Sequence, residues 1–148
     1  MATPYENIFN RFLKRIEDKD LPNFSEDEQI ELMTGWLDTA IGYIELDGLK
    51  IKHDLSNRDN DIQEFEEDLN NCEMEVIAMY MVAAWYEPKI NSLETTLMFI
   101  GSKDEKWTAQ KDQLSMQKEK RNYWKLEARK YFRNYGYKNN SYINGDNQ

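Results

Sequence analysis

The most restrictive feature of this sequence is a run of 11 uncharged residues, VIAMYMVAAWY, from Val76 to Tyr86. Charged residues make up 32% of the chain as a whole. The run is too short for a membrane-spanning helix, which needs about 20 apolar residues. A helix that is apolar on every side must be surrounded by other elements, so the run predicts a buried central helix. Its expected core residues are Val76, Ile77, Tyr80, Met81, Ala84 and Trp85.

Capping patterns divide the rest of the chain into further helices. A Ser, Thr or Asn followed three residues later by Glu is typical of a helix N-terminus. Such pairs are Thr3/Glu6, Ser25/Glu28, Asn70/Glu73 and Ser102/Glu105. Apolar residues at 3- and 4-residue spacing follow the first two pairs. Together they predict an all-α fold, in which the central helix ends at Pro88 and a short helix follows from Ser92 to Gly101.

The segment between the second helix and the central helix has a loop-like composition. Gly48 is expected to end the second helix. "HDLSNRDND", residues 53–61, is rich in Asp, Asn and Ser, as connections are. "IQEFEEDL", residues 62–69, predicts one short amphipathic helix through Ile62, Phe65 and Leu69.

The charge of the chain is divided unevenly. Residues 1–101 hold 22 Asp and Glu and 8 Lys and Arg, a net charge of -14. Residues 102–148 hold 6 Asp and Glu and 11 Lys and Arg, a net charge of +5. The two parts sum to the net charge of -9 of the chain. Two interpretations stay open: ordinary solvated helix faces, or oppositely charged surfaces that attract each other between copies.

The last predicted helix, residues 103–135, is the longest. At ~1.5 Å per residue it would span about 50 Å, more than a domain of this size must cover. Its seam is rich in Gln, Arg and aromatic residues, which suits an interface better than a closed core. We therefore expect a projecting helix; the alternative is a bent helix that packs on its own bundle. The expected subunit-interface residues are Lys118, Arg121, Trp124, Lys125 and Arg129.

The helical bundle is expected to span residues 1–135, and an extended tail is expected to span residues 136–148. The helical period stops at Tyr135 and Gly136, and the following segment is rich in Asn, Gly and Tyr. Chain termini of this kind are usually disordered. Spaced apolar residues favour instead an extended segment that adds to a partner. The expected anchors of the tail are Tyr135, Tyr137, Tyr142 and Ile143.

Residues typical of catalytic and metal sites are scarce in this sequence. One histidine, His53, and one cysteine, Cys72, cannot form a catalytic triad or a zinc site within a chain. His53 lies in a polar stretch and is expected to be solvated. The acidic residues from Asp54 onward lack the ligand and glycine positions of a calcium loop. We therefore expect no enzymatic activity, no metal and no cofactor.

Two alternative functions stay open. Helical pyrophosphohydrolases bind magnesium with a Glu-x-x-Glu motif followed by a Glu-x-x-Asp motif. Glu28/Glu31 and Glu64/Glu67 match the first motif. The Glu-x-x-Asp pair, Glu17/Asp20, precedes both of them, so the order does not fit. A degenerate helical nucleotide pyrophosphohydrolase is therefore one alternative. The Lys and Arg residues among the aromatics of the last helix favour a DNA-packaging or regulatory DNA-binding protein, although the acidic net charge repels phosphate.

Six stretches of the sequence, taken in order, resemble one family. They are "TPYE" followed by "FLKRIEDKDL", then "DLSNRD", "FEEDL", "MVAAWYEPKIN" and "KDEKWTAQ". This combination resembles small helical proteins encoded among the head and neck genes of tailed bacteriophages and prophages, mainly of Gram-positive hosts. The resemblance runs from residue 3 to about residue 137. The stretch "LDGLKIKH" departs from the family pattern, and its "LKIK" is expected to form a small strand.

The resemblance implies a structural virion protein, the head–tail connector or adaptor that forms a ring under the portal. It implies three partners: the portal protein, neighbouring copies in a twelvefold ring, and a head-closure or tail protein. DNA would only pass through the ring without specific contacts, and no membrane would take part. Such a protein is made in the bacterial host cytoplasm and located at the head–tail junction. In the ring, Lys118, Lys125 and Arg129 would contact the acidic body of the next copy, and the tail would bind the portal.

Overall fold

The computed structural model describes residues 2–101 and 105–138, with side chains described through residue 136. Four α-helices account for most of this part of the chain: α1, Tyr5–Leu13; α2, Glu26–Leu46; α3, Asn71–Ile100; and α4, Glu105–Lys138. A 3-10 turn at Leu21–Asn23 precedes α2. Three short strands, β1 (Thr3–Pro4), β2 (Arg58–Asp59) and β3 (Glu64–Phe65), form an antiparallel sheet in the order β1-β3-β2. The fold is therefore mainly α, as expected, with a small sheet that the sequence did not predict.

The uncharged run lies at the centre of the molecule. Every residue from Val76 to Trp85 is buried, including all six expected core residues. The helices α1, α2 and α4 all pack on α3. Since α3 is covered on every side here, none of its faces needs a polar residue.

The predicted end of the central helix at Pro88 is wrong. α3 continues through Pro88 to Ile100, so the predicted short helix from Ser92 is the last part of α3. Pro88 has no N–H, and the Ala84 carbonyl therefore lacks its usual intrahelical donor. Side chains on both sides of the proline hold the helix together: Ile90 is buried, and Glu87 and Glu94 both form ion pairs with α4.

The predicted helix at residues 62–69 is also wrong, because this segment pairs with the start of the chain. β3 pairs with β1, with Thr3 opposite Phe65. Gln63 has a φ of 56°, which lies outside the right-handed helical region. The buried Phe65 ring packs on Tyr5, with the ring centroids 5.1 Å apart. The predicted strand "LKIK" is absent from the structure; Leu49 and Ile51 instead pack on the core from an irregular segment.

Three of the four expected capping pairs lie in the described residues, and two of them are capped as predicted. Ser25 accepts a hydrogen bond from the Glu28 N–H, and Asn70 and Glu73 form a complete capping box. Thr3 does not cap α1. Its buried hydroxyl donates to the Glu67 carbonyl at 2.8 Å and accepts from the Leu69 N–H at 2.9 Å. The Ser102 pair falls outside the described residues.

Replacing Trp85 with alanine should lower the free energy of unfolding by about 3–5 kcal/mol. Trp85 is 7% exposed, and its indole N–H donates to Asp18 Oδ2 at 2.9 Å. Denaturant unfolding would measure the loss. Trp107→Ala is the matched control, because Trp107 lies half-buried near the start of α4, and it should cost less than half as much as Trp85→Ala. Equal losses for the two variants would show that the centre of α3 is not the stability core.

Candidate functional site

The long helix α4 packs along its own chain. Lys118 Nζ lies 3.0 Å from Glu94 Oε1 on α3, and Lys125 and Arg129 also contact the body of the same chain. Trp124 is partly buried against the core, close to Ala128, which is completely buried. The expected projecting helix is therefore corrected: the residues assigned to a subunit interface hold α4 on its own bundle.

The first attachment of α4 is a cluster around Glu87. The Tyr43 hydroxyl donates to Glu87 Oε1 at 2.7 Å, and Arg121 Nη1 donates to the same oxygen at 3.0 Å. Tyr43 belongs to α2, Glu87 to α3 and Arg121 to α4, so one carboxylate joins three helices. Hydrogen bonds to a charged acceptor are stronger than neutral ones, and this cluster fixes the middle of α4.

The second attachment repeats the same chemistry at Asp47. The Tyr80 hydroxyl donates to Asp47 Oδ2 at 2.7 Å, and Arg129 Nη1 donates to the same oxygen at 2.9 Å. Asp47 is the C-cap residue of α2 and Tyr80 lies in the buried part of α3. Arg121 and Arg129 are eight residues apart, which places them on one face of α4. The two carboxylates therefore define which face of α4 points inward.

Lys125 lies between the two arginines on this inner face. Its Nζ is 3.7 Å from the centroid of the Tyr43 ring, which is within the range of a cation–π contact. Burial lowers the pKa of Lys125, and the neighbouring Arg121 lowers it further, while Asp47 and Glu87 oppose both effects. With Lys118, which pairs with Glu94 of α3, the inner face of α4 thus carries four cations that are all satisfied within one chain.

Burial also keeps the two tyrosines of these clusters protonated. It raises the pKa of Tyr43 above its ordinary value, and the hydrogen bond to Glu87 and the charge of that residue raise it further. The pKa of Tyr80 is raised by burial, by the hydrogen bond to Asp47 and by its charge. Both phenols therefore act as hydrogen-bond donors at neutral pH.

Replacing Arg121 with alanine should lower the free energy of unfolding by about 1–2 kcal/mol, because a charge-assisted hydrogen bond to Glu87 is lost. Hydrogen exchange of the α4 amides should increase in the same variant. Lys120→Ala is the control, since Lys120 is exposed and has no ion-pair partner among the described residues. If both variants unfold like the wild type, the Glu87 cluster does not hold α4.

Stability should fall as the pH rises above about 10, the ordinary pKa of tyrosine. Above this pH the unfolded chain releases the phenolic protons of Tyr43 and Tyr80, whereas the folded chain retains them because their pKa values are raised. The unfolded state then binds fewer protons, so alkali favours it. Denaturation measured across this range, with tyrosinate absorbance, would test the sign. Tyr80→Phe should flatten the slope; a stability that is constant to the pH of complete tyrosine ionisation would contradict the mechanism.

The residues expected to anchor an extended tail lie only partly in the described structure. Tyr135 is on α4 and is 39% exposed. α4 continues to Lys138, so Gly136 and Tyr137 are helical and the helix ends later than the predicted Tyr135. Tyr142 and Ile143 lie outside the described residues.

His53 is not solvated as the sequence suggested. Its Nδ1 lies 2.8 and 2.9 Å from the two carboxylate oxygens of Glu73, a residue that is 3% exposed. Glu73 also caps α3, so His53 ties the loop before β2 to the start of the central helix. The neighbouring Cys72 is buried, and burial, with the charges of Glu73 and Glu75, raises its pKa to about 11. This thiol is protonated at neutral pH and poorly reactive.

The acidic pairs considered for magnesium lie on different elements of the structure. Glu28 and Glu31 lie in the first turns of α2, whereas Glu64 belongs to β3 and Glu67 to the loop after it. Within residues 2–101 and 105–138 no three His, Cys, Asp or Glu residues are grouped so that they could hold a metal ion. No helix in these ranges is both long enough and apolar enough to span a bilayer.

An open groove between α2 and α3 was not predicted from the sequence. Its volume is about 620 Å³, and its apolar lining consists of Phe24, Leu32, Trp36, Ala84 and Pro88. Glu28, Glu31 and Glu87 also line it, together with Gly35 and Thr39. No local pattern in the sequence predicts this groove, because its lining comes from two helices that are distant along the chain.

Comparisons of this chain with protein-family models, with curated proteins and with solved structures give no match.

Proposed function

We propose that this protein is a structural component of the neck of a tailed bacteriophage. In this role it forms a ring that connects the portal of the head to the next neck or tail protein. Its location is the head–tail junction of the virion, and its action is binding rather than catalysis.

The observation that carries the proposal is that five of the six stretches behind the family resemblance each contact another of them in the folded chain. Thr3 of "TPYE" bonds to the backbone of Glu67 in "FEEDL". Asp18 of "FLKRIEDKDL" accepts from Trp85 of "MVAAWYEPKIN". Asn57 of "DLSNRD" accepts from the Glu66 N–H at 2.9 Å.

These contacts give the order of the stretches a physical meaning. Residues that pack against each other restrict each other's side-chain type. A sequence pattern that spans several such stretches therefore describes a whole fold rather than a single motif. This supports reading the resemblance as one of the whole helical domain.

The contacts of α4 favour assembly over DNA binding. Of the cations on this helix, Lys118, Arg121 and Arg129 form ion pairs with acidic residues of the same chain. DNA binding driven by counterion release needs a positive face that is free to contact phosphates. Ion pairing within the chain reduces that face, which argues against the DNA-binding alternative.

The proposal can be tested with phage heads that carry a portal but lack this protein. We expect the purified protein to sediment with these heads, to form a ring in electron micrographs and to restore tail attachment. Salt-sensitive gel shifts with DNA, without binding to heads, would favour the DNA-binding alternative. Magnesium-dependent release of pyrophosphate from nucleotides would favour the pyrophosphohydrolase alternative.

Deleting residues 139–148 should abolish sedimentation with portal-bearing heads without unfolding the protein. The deletion removes Tyr142 and Ile143 but leaves all of α4, which ends at Lys138. Ordering an extended segment costs about 1–2 kcal/mol per residue, so its apolar anchors must contribute to binding. Circular dichroism would check the fold, and sedimentation would measure binding. A truncated protein that binds heads with wild-type affinity would exclude this segment as the portal contact.

A further inference from the structure

We propose that the groove between α2 and α3 of one copy receives the outward face of α4 of a second copy. This inference rests on the proposed function, in which copies are neighbours in a ring. It names the two surfaces that meet there. The earlier expectation placed the inner face of α4 in that contact, but the inner face is already occupied within the chain.

The groove side of the contact is acidic. α2 contains six Asp or Glu residues and no Lys or Arg. Among the described residues only Asp38 of these six pairs with a cation, Arg58 at 3.1 Å. Glu28 and Glu31 line the groove and have no cationic partner in the part of the chain that the structure describes. The groove therefore offers negative charge that the described part of its own chain does not neutralise.

The wall and the rim of the groove are apolar and partly uncovered. Phe24 is 42% exposed and Leu32 is 37% exposed, although both are large apolar residues. Ala84 and Pro88 of α3 line the groove, and Pro88 has no N–H to donate to the Ala84 carbonyl. Such a site fits a helix that brings apolar side chains together with cationic donors.

The outward face of α4 has this chemistry. Met116, Tyr123 and Leu126 are 46%, 54% and 41% exposed. Lys120 lies four residues after Met116 and three before Tyr123, and Arg133 lies seven residues after Leu126, so the two cations flank this face on opposite sides. Neither has an ion-pair partner among the described residues. Lys130 on this face pairs only with Glu127 of its own helix, at 3.8 Å, and Glu119 adds one more acidic residue to the face. Over its whole length α4 has ten Lys and Arg and four Asp and Glu, a difference of +6, which falls to +2 once the four inner-face cations, Lys118, Arg121, Lys125 and Arg129, are set aside.

The geometry requires a second molecule. Arg121 and Arg129 fix the inner face of α4 on its own α2 and α3, so the outward face points away from its own groove. The two complementary surfaces are different, and contact between them is head to tail. Contacts of this type close into rings when the rotation between copies allows it.

Gly35 allows the groove to be filled without disturbing the core. It lines the groove, and a Cβ added there would have no atom within 4 Å. Gly35→Leu should therefore place a side chain in the groove while α2 stays folded. Gly42→Leu is the matched control, because Gly42 lies in the same helix with the same free space but does not line the groove. We expect self-association to weaken about tenfold or more in Gly35→Leu and less than about threefold in Gly42→Leu.

A mixture of two variants tests the head-to-tail geometry. Tyr123→Asp damages the outward face of α4 and leaves the groove intact, whereas Gly35→Leu does the reverse. Each variant alone should be monomeric by analytical ultracentrifugation of the full chain. Their mixture should form one-to-one dimers and nothing larger, because only one intact groove and one intact α4 face can meet. Circular dichroism of each variant would exclude unfolding.

Three outcomes would overturn the inference. If Gly35→Leu assembles like the wild type, the copies meet through other surfaces, and the proposed ring is unaffected. A mixture that stays monomeric would exclude the pairing of this groove with this face. A wild-type chain that stays monomeric both in solution and on portal-bearing heads would exclude self-contact, and binding of that monomer to heads would then decide the proposed function separately.

Discussion

The complete burial of Val76 to Trp85 is the constraint on which the rest of the structure depends. A helix with no polar face cannot lie at the surface of a domain, because other elements must pack on each of its sides. α1 and α2 supply part of this cover with apolar stripes, among them Ile8 and Leu37. The remaining side has to be covered by α4, which is one of the most polar segments of the chain.

A polar helix can cover an apolar one only if its polar groups find partners at the edge of the contact. Ala128 is the one completely buried residue of the described part of α4, and Trp124 and Phe132 pack partly on the core. At the edges, Glu87 and Asp47 each accept from an arginine of α4 and from a buried tyrosine. Partial burial strengthens such hydrogen bonds and makes an unpaired carboxylate costly. The inner cations of α4 are therefore part of the fold.

Features that depend on neighbouring residues could be predicted from the sequence, and features that depend on distant residues could not. The uncharged run, the Ser25 cap and the Asn70 capping box are local, and the structure contains all three. The segment around Phe65 has helical spacing, yet it forms a strand because it pairs with the start of the chain. There the Thr3 hydroxyl donates to the carbonyl of Glu67, which is 64 residues away along the chain. Pro88 is a local signal for a break, but distant ion pairs and the buried Ile90 override it. The groove was missed because it is formed by α2 and α3 together.

The acidic and basic parts of the sequence can pair in two ways, within one chain and between copies. Pairing within a chain comes first, because it does not require two molecules to lose translational and rotational freedom. Lys118, Arg121 and Arg129 are used in this way, and their acidic partners come from α3 and from the end of α2. The acidic residues of α2 near its groove and the outer cations of α4 form no ion pairs with each other in the described part of one chain. Their mutual attraction is screened within about 8 Å at physiological salt, so it acts only between copies that are already in contact. Charge therefore selects which surfaces meet, while the apolar side chains of the groove and of α4 supply the area that would keep them together.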